Sequence, residues 1–344
     1  MRCFLIAEAG VNHNGSEALA MQLVEVASAC GADAVKFQTF SAERLVRPGT
    51  DSAAYQRANT GATDQYLLLK QLELPAGALA RLKAHADALA IEFMSTPFDE
   101  SAARDLVALG MRRIKVPSGE ITNVPFLEFL AGFDLPLILS TGMADLAEVR
   151  SAVDAISAAR ASRGLTAPLC ERLTLLHCTS NYPAQPEDVN LRAMLSLGAH
   201  FGVPVGYSDH TEGIAVAVAA AALGATVLEK HFTLDKSLPG PDHRASLTPD
   251  ELRRLVGDVR TVEASLGDGV KAPRSSELPV RDLVRRSVTL LRPRRRGERI
   301  EAADLTLLRP GTGIPPKDLA RVAGKRAARD LQGGELLAWE DLVD

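Results

Sequence analysis

The sequence predicts an α/β protein: a (β/α)8 barrel over residues 1–266, then a linker and a small β-rich domain. Eight short apolar runs, each bounded by turn residues, have the length and composition of strands buried on both faces. Ala- and Leu-rich stretches with helical spacing separate these runs, an alternation that is typical of the barrel. A segment rich in Gly, Pro and Ser interrupts this pattern from residue 267 onwards.

The strands and the first helix are the best-defined elements of this pattern. Ser16 is a candidate N-cap of that helix, and Gly31 is placed to end it. Residues 40–66, between the second strand and its helix, are polar; we expect a loop that serves as a lid or a dimer contact. The predicted strands cover residues 4–8, 34–38, 91–96, 113–118, 136–141, 173–179, 203–208 and 226–231.

The C-terminal part of the chain differs from the barrel in style and in charge. Residues 267–284 lack hydrophobic periodicity and are predicted to be a linker. Residues 285–344 contain short β-like runs separated by Pro and Gly, which predict a separate small domain. This domain has 13 Lys and Arg against 9 Asp and Glu, so it is basic although the whole chain carries a net charge of -4.

Composition excludes several functional classes. The acidic balance, with a pI near 6.0, argues against a nucleic-acid partner. No apolar run reaches the 18 residues or so that a membrane span needs, and the first ten residues resemble a strand rather than a signal peptide. The four cysteines have no CxxC spacing, so we expect a reduced protein in the cytoplasm.

All eight predicted strands end in polar or ionisable residues. The active site of a barrel lies at the C-terminal ends of its strands, so these side chains are expected to surround one site. They are Glu8; Lys36 and Gln38; Ser95 and Thr96; Lys115 and Ser118; Ser140 and Thr141; Thr179 and Ser180; Ser208 and His210; and Glu229 and His231. A barrel with a purely structural role needs no such ring.

One cation among several hydroxyl groups suits a phosphate. Lys115 supplies the charge, and the hydroxyl groups of Thr96, Ser118, Ser140 and Ser208 supply hydrogen bonds. Any one of these serines or threonines could equally be a turn or cap residue. The prediction of an anion site therefore rests on the set.

Two histidines and two carboxylates suggest metal and acid–base chemistry. His210 and His231 end consecutive strands, so their imidazoles can reach one metal ion and leave positions open for water or substrate. Glu8 and Asp242 are candidate bases or orienting groups. His13 could line the site or cap the first loop, and the sequence is compatible with both interpretations.

Long ordered motifs in this chain resemble the sialic acid synthase family, and within it the bacterial N-acetylneuraminate synthases. The tail segment LLRPGTGI (307–314) is similar to the antifreeze-like SAF domain of that family, a β-clip fold. The barrel motifs are IAEAGVNHNGS (6–16), ADAVKFQTF (32–40), EFMSTPFD (92–99), KVPSGEITN (115–123), LILSTGM (137–143), LLHCTSNYP (175–183), GYSDHT (206–211), LEKHFTLD (228–235) and PGPDHRASL (239–247).

The resemblance implies a role for each matching residue. His210 and His231 would hold a divalent ion, Mn2+ first, with Mg2+ or Co2+ as alternatives. Arg309, in the tail, would reach the sugar site of the partner in a domain-swapped homodimer. Glu8 would lie near the reacting carbons. The residues that would bind phosphoenolpyruvate are Thr96, Lys115, Ser118, Ser140, Ser208 and Ser180; some members of the family have Asn at the position of Ser180. The residues that would line the sugar side are Lys36, Gln38, Glu120, Tyr182 and Asp242.

The implied activity is that of a transferase that forms a C–C bond. It would condense phosphoenolpyruvate with N-acetylmannosamine to give N-acetylneuraminate and phosphate. The alternative acceptor is a 2,4-diacetamido-trideoxyhexose, which gives N,N'-diacetyllegionaminate, because the same motifs serve both. The residues alone also allow a Schiff-base aldolase that uses Lys36 or Lys115, or a protein whose tail only binds ice or a glycan.

Overall fold

The computed structural model describes residues 2–344, which divide into two compact units. The first unit extends to Gly267, and the second covers Asp268–Asp344. Each unit has its own hydrophobic core.

The first unit is built on eight parallel strands, so the predicted (β/α)8 barrel is confirmed. All eight predicted strands are present, with shifts of a few residues at their ends. They are β1 Phe4–Gly10, β2 Ala34–Thr39, β3 Glu92–Pro97, β4 Ile114–Val116, β5 Leu137–Ser140, β6 Leu173–Cys178, β7 Val205–Asp209 and β8 Val227–His231. Hydrogen bonds join these strands in the order β3-β2-β1-β8-β7-β6-β5-β4, and β3 lies beside β4, which closes the ring.

Helices alternate with these strands. Within residues 2–344 no helix is both long and apolar enough to cross a bilayer. The helices of the first unit are α1 Glu17–Ala29, α2 Ala42–Leu45, α3 Ala54–Thr60, α4 Gln65–Leu72, α5 Ala78–Ala88, α6 Glu100–Ala108, α7 Val124–Ala131, α8 Leu146–Ser162, α9 Leu169–Arg172, α10 Ala193–Phe201, α11 Ala215–Ala222 and α12 Pro249–Leu266.

Helix α8 shows how local sequence fixes a helix against the sheet. Asp145 caps it by accepting hydrogen bonds from the backbone N–H groups of Ala147 and Glu148, while the Glu148 side chain accepts from the Asp145 N–H. Val149, Val153 and Ile156 recur at three- and four-residue spacing and are buried. One face of α8 therefore joins the core between helices and sheet.

A layer of apolar side chains closes the barrel interior below the site. Its members come from six strands: Ile6, Ala34, Met94, Ile138, Leu176 and Val227. Gly206 of β7 is needed at this level, because a Cβ there would lie 2.2 Å from the Val227 carbonyl oxygen and 2.7 Å from Leu176 Cδ2. Side chains alternate between the two faces of a strand, so the residue two positions after each member faces the interior one level higher.

The segment 40–66 is not the loop that its polar composition predicts. It contains α2, α3 and the start of α4, and short backbone pairing ties its two halves together: the Ser52 N–H donates to Thr63 O at 2.9 Å. Leu68 and Leu72 of α4 pack with Val11 in a small apolar cluster. The prediction failed because these helices are short and most of their residues are not buried, which hides their periodicity.

The second unit is a small β-rich structure. Its strands are β9 Ser287–Leu290, β10 Leu305–Leu308, β11 Arg326–Ala327 and β12 Leu342–Val343, paired as β9 with β10 and β11 with β12. Its helices are α13 Leu278–Val284 and α14 Leu319–Val322. Helix α13 lies in the stretch expected to be an aperiodic linker, and its exposed apolar residues explain why no amphipathic pattern was visible.

The outer side of β8 carries a buried ion pair. Lys230 Nζ lies 2.9 Å from Asp209 Oδ2, and both side chains are almost fully buried. Asp209 also accepts hydrogen bonds from the N–H and hydroxyl of Thr211. Lys230 therefore neutralises a carboxylate that water cannot reach.

We expect Lys230→Met to lower the free energy of unfolding by about 3–5 kcal/mol, because the Asp209 carboxylate stays buried without its partner. Urea denaturation measures this loss. The control is Lys83→Met, which removes an ion pair to Asp87, a residue with a 54% exposed side chain. That change should cost no more than about 1 kcal/mol. Equal losses in the two variants would contradict a special role for the buried pair.

Candidate active site

A cavity of about 460 Å³ opens at the C-terminal ends of the barrel strands. A larger cavity of about 710 Å³ lies beside it, next to α8 and α10, but contains none of the barrel's lysines or glutamates. We assign the smaller cavity as the site because the ionisable groups face it. Its walls are Glu8, Lys36, Gln38, Tyr55, Gln65, Thr96, Phe98, Lys115, Pro117, Ser118, Gly119, Ser140, Met143, Cys178, Ser180, Tyr182, Ser208, His210, Glu229 and His231.

Four buried charged groups form the centre of the cavity. Lys36 Nζ lies 2.7 Å from Glu8 Oε2 and 3.6 Å from Glu229 Oε2. Lys115 Nζ lies 3.7 Å from Glu229 Oε1. Two ammonium groups thus alternate with two carboxylates, and this balance makes their burial tolerable.

The two carboxylates have opposite pKa shifts. Burial raises the pKa of Glu8 to about 7, although the Lys36 ammonium opposes the rise. Burial acts in the same direction on Glu229, but Lys115 and Lys36 outweigh it and lower the pKa of Glu229 to about 2. Glu8 can therefore exchange a proton near neutral pH, while Glu229 stays ionised.

The lysines also differ. Burial opposes the charge on Lys36, but Glu229 and Glu8 outweigh it and raise the pKa of this ammonium. Burial lowers the pKa of Lys115. Besides Glu229, Lys115 Nζ contacts the Val116 carbonyl oxygen at 3.2 Å. Lys115 is thus the lysine with more of its donor capacity available to a ligand.

Hydroxyl groups surround the lysines. Thr96 Oγ1 accepts a hydrogen bond from Lys36 Nζ at 2.9 Å, and Ser208 Oγ donates to Glu229 at 3.0 Å. Ser118 Oγ accepts from the Gly142 N–H at 3.0 Å. Ser140 Oγ is buried and has no hydrogen-bond partner within residues 2–344. Ser140 and Lys115 lie on the wall of the same cavity, so this free hydroxyl and the ammonium group are both available to an anion.

Gly142 keeps the floor of this region open. A Cβ there would lie 2.3 Å from Ser180 Oγ, 2.8 Å from Ser118 Oγ and 2.9 Å from Cys178 Sγ. Any side chain at this position would displace two of the predicted anion-site hydroxyls. The glycine of the LSTG motif is therefore required by close packing.

His210 and His231 face each other across the cavity, with ring centroids 5.7 Å apart. His210 Nδ1 lies 2.6 Å from the Thr179 carbonyl oxygen, which fixes the tautomer that leaves Nε2 with a lone pair. Burial lowers the pKa of His210 to about 4, and burial together with His210 holds that of His231 well below its usual range. Both imidazoles are therefore neutral at pH 7.

The residues present fit a divalent metal ion. Nδ1 of His231 is buried and has no hydrogen-bond partner within residues 2–344. Its lone pair is therefore free to coordinate a metal ion. In the same part of the chain, no group of three or more His, Cys, Asp or Glu is arranged around a metal position. A metal ion here would take its protein ligands from the two histidines and leave other positions to water or substrate.

Aromatic rings and Asp242 surround the histidines. The Tyr182 ring centroid lies 4.1 Å from that of His210 and 5.7 Å from that of His231. Asp242 Oδ2 lies 4.0 Å from His231 Nδ1, and burial raises the pKa of Asp242 to about 6. Asp242 thus neighbours His231 but is not among the residues of the cavity wall.

The structure brings together most of the residues predicted for the site. Glu120 does not line the cavity: it lies in a short 3-10 turn, Ser118–Glu120, and accepts a hydrogen bond from Asn123. Arg309 is exposed in the second unit. His13 is buried, and its Nδ1 accepts the Gly15 N–H, so it orders the first loop. The catalytic and binding roles of these residues stay predictions.

No role is predicted from the sequence for eight wall residues, which are Tyr55, Gln65, Phe98, Pro117, Gly119, Met143, Cys178 and Glu229. The position of Glu229, two residues after Val227 of the apolar layer, is the signal that could have found it. Tyr55 and Gln65 come from the segment expected to be a loop, so nothing in the pattern points to them.

Comparison with protein families gives two matches. The model of the NeuB family matches residues 23–271, and the model of the SAF domain matches residues 285–343. Together they cover most of both units. The resemblance on which the sequence prediction rested is confirmed, as is the SAF character of the C-terminal domain.

Relatives are similar over nearly the whole chain. An N,N'-diacetyllegionaminic acid synthase of Legionella pneumophila is 52% identical over 99% of this chain and 95% of that protein. A protein of the same name from Campylobacter jejuni is 43% identical over 98% and 99%. The crystal structure of an N-acetylneuraminic acid synthetase from Leptospira borgpetersenii, in complex with citrate, is 33% identical, with a TM-score of 0.70 over 81% of this chain and 90% of that one.

We expect His210→Ala and His231→Ala each to weaken binding of Mn2+ by at least about 100-fold, because each removes one of two imidazole ligands. Equilibrium dialysis of the purified variants against Mn2+ measures this loss. His85→Ala is the control, since His85 lies on α5 and pairs with Glu25 at the surface. Unchanged Mn2+ affinity in both site variants would show that the histidines hold no metal.

Proposed function

Because the chain belongs to the NeuB family of sialic acid synthases, we propose that it condenses phosphoenolpyruvate with a 2,4-diacetamido-2,4,6-trideoxyhexose. The products are N,N'-diacetyllegionaminate and phosphate. The names and identities of the Legionella and Campylobacter relatives support this acceptor over the N-acetylmannosamine expected first from the motifs. The four free cysteines suit a cytoplasmic enzyme.

The observation that carries the proposal is the presence of two lysines, several hydroxyl groups and two carboxylates on the wall of one cavity. Lys115 and the orphaned hydroxyl of Ser140 offer charge and a hydrogen bond to the phosphate group of phosphoenolpyruvate. Thr96 and Ser118 add hydroxyl groups, and Lys36 lies next to Thr96. Phosphoenolpyruvate bound there would have its reacting carbons near Glu8.

The chemistry forms one C–C bond and replaces the C2–O bond to phosphate by a C2–O bond to an oxygen from water. C3 of phosphoenolpyruvate attacks the aldehyde carbon of the open-chain sugar, and the aldehyde oxygen takes up a proton. This leaves positive charge at C2, to which water adds with loss of a proton. The tetrahedral intermediate then expels phosphate by cleavage of the bond between C2 and the phosphate ester oxygen, and the proton of the C2 hydroxyl group goes to the departing phosphate, which leaves the keto group.

Glu8 is suited to the steps at C2. Its carboxylate stabilises the positive charge there, and a pKa near 7 lets it accept the proton that the water loses. Glu229, held ionised by the two lysines, keeps the negative potential when Glu8 is protonated. Binding both substrates in one enclosed cavity supplies the positioning.

His210 and His231 would hold the divalent ion, with Mn2+ expected first. When bound, such an ion supplies Lewis-acid polarisation of the sugar's aldehyde. Tyr182 packs against both histidines and keeps their rings in place. Family membership and the ion pair of Lys36 with Glu8 argue against a Schiff-base aldolase.

The test is release of phosphate from phosphoenolpyruvate with a panel of N-acyl hexosamines. We expect kcat/KM for 2,4-diacetamido-2,4,6-trideoxymannose to exceed that for N-acetylmannosamine by at least about 10-fold. Mass spectrometry of the product identifies the nonulosonate. A preference for N-acetylmannosamine would reverse the choice of acceptor, and no phosphate release with any acceptor would overturn the synthase itself.

We further propose that the enzyme works as a domain-swapped homodimer in which Arg309 serves the partner's sugar site. The SAF match and the RPG motif support this proposal. The loop that carries Arg309 is held firmly: Ser287 Oγ donates to Pro310 O at 2.7 Å, and the Gly311 N–H donates to Asp282 O at 2.7 Å. The exposed guanidinium is thus presented from a fixed loop.

Mixing two inactive variants tests the swap. Arg309→Ala and Glu8→Ala, after subunit exchange, should recover up to about a quarter of wild-type activity, since half the dimers are mixed and half of their sites are intact. If Arg309 served its own barrel, every site would carry one lesion. No recovery from subunits shown to exchange would therefore exclude the swapped arrangement, and each variant incubated alone is the control.

A further inference from the structure

The cavity has a charged half and an aromatic half. Glu8, Lys36, Lys115 and Glu229 form the charged half. On the other side the Tyr182 ring packs on His210 at 4.1 Å, and the Tyr55 ring packs on Tyr182 at 5.2 Å. The rings thus follow one another in the order His210, Tyr182, Tyr55. The proposed reaction gives Tyr55 no role.

Tyr55 is held in place by the segment that carries it. It lies in the first turn of α3, where the Gln56 side chain accepts the Ala53 N–H at 3.0 Å. At the other end of α3, Asn59 Nδ2 donates to the Pro241 carbonyl oxygen at 2.6 Å. The segment is thus fastened to the loop that precedes Asp242. A ring fixed before the ligand arrives costs little entropy to bind against.

The Tyr55 ring is partly buried, and it borders the cavity. Burial, with a smaller contribution from the Asp242 carboxylate, raises the pKa of its phenol. Tyr182 also lines the cavity, so the two side chains offer aromatic carbon surface to whatever lies there. Such a surface favours methyl groups and disfavours hydroxyl groups that lose their water.

The two candidate acceptors differ only at the end far from the reaction. Their aldehyde carbon must reach the charged half, and they are identical from C1 to C3. The diacetamido sugar has an acetamido group at C4 and a methyl group as C6, where N-acetylmannosamine has two hydroxyl groups. With C1 towards Glu8 and the histidines, the differing groups extend towards the aromatic half.

We propose that Tyr55 determines acceptor specificity, its ring and that of Tyr182 forming the surface that receives the C4 acetamido and C6 methyl groups. This inference rests on the proposed function. It assigns to the 40–66 segment a direct part in substrate choice. N-acetylmannosamine at the same surface leaves hydroxyl groups against aromatic rings, without hydrogen bonds to replace those made to water.

The experiment compares kcat/KM for both acceptors in wild type, Tyr55→Ala, Tyr55→Phe and Tyr66→Ala. Tyr66 lies in the same segment but outside the cavity wall, so it is the matched control. We expect Tyr55→Ala to lower kcat/KM for the diacetamido sugar about 10- to 30-fold and that for N-acetylmannosamine less than about 3-fold. Tyr55→Phe and Tyr66→Ala should keep the wild-type ratio. The KM for phosphoenolpyruvate is measured for every variant as a control. An unchanged value shows that the barrel is intact.

The outcomes separate this inference from the proposed function. A wild type that prefers N-acetylmannosamine overturns both. A wild type that prefers the diacetamido sugar, with a Tyr55→Ala variant that loses both activities equally or neither, overturns the role of Tyr55 and leaves the proposed function standing. A loss of preference in Tyr55→Phe equal to that in Tyr55→Ala would assign selection to the hydroxyl and overturn the aromatic surface.

Discussion

The closed ring of eight strands constrains where every inward side chain can lie. Successive residues of a strand alternate between the two faces, so inward positions recur every second residue. The apolar layer of Ile6, Ala34, Met94, Ile138, Leu176 and Val227 sets one level of the interior. Two residues later, six of the strands present Glu8, Lys36, Thr96, Ser140, Cys178 and Glu229, all of which line the cavity. The site is the next level of the same barrel.

This arrangement explains how four charges can be buried together. Glu8, Lys36, Lys115 and Glu229 come from four strands whose register is fixed by the sheet, so the side chains meet without any loop having to order itself. Each charge has an opposite charge within 4 Å. The charged groups of the candidate site thus lie on the most rigid elements of the chain, whereas Tyr55, which we propose selects the acceptor, lies on the segment 40–66.

The barrel and much of its site were predictable because they follow from local periodicity. Polar strand ends such as Lys115 and His231 were visible as soon as the strands were found. Tyr55 was not, because the short helix that carries it has no clear hydrophobic period and reaches the cavity only through tertiary contacts such as Asn59 with Pro241. Glu120 was assigned to the site by motif alone; the 3-10 turn after β4, a feature without a sequence period, takes it off the cavity wall.

The balance of two ammonium groups and two carboxylates has a consequence for ligand binding. An anion entering this neutral cluster adds negative charge in a place with little water, which raises the pKa of Glu8 further. Near neutral pH, binding of the anion is then accompanied by uptake of a fraction of a proton per site, on average, by the Glu8 carboxyl group. Affinity for the anion should consequently weaken with increasing pH, and the heat of binding should depend on the ionisation enthalpy of the buffer.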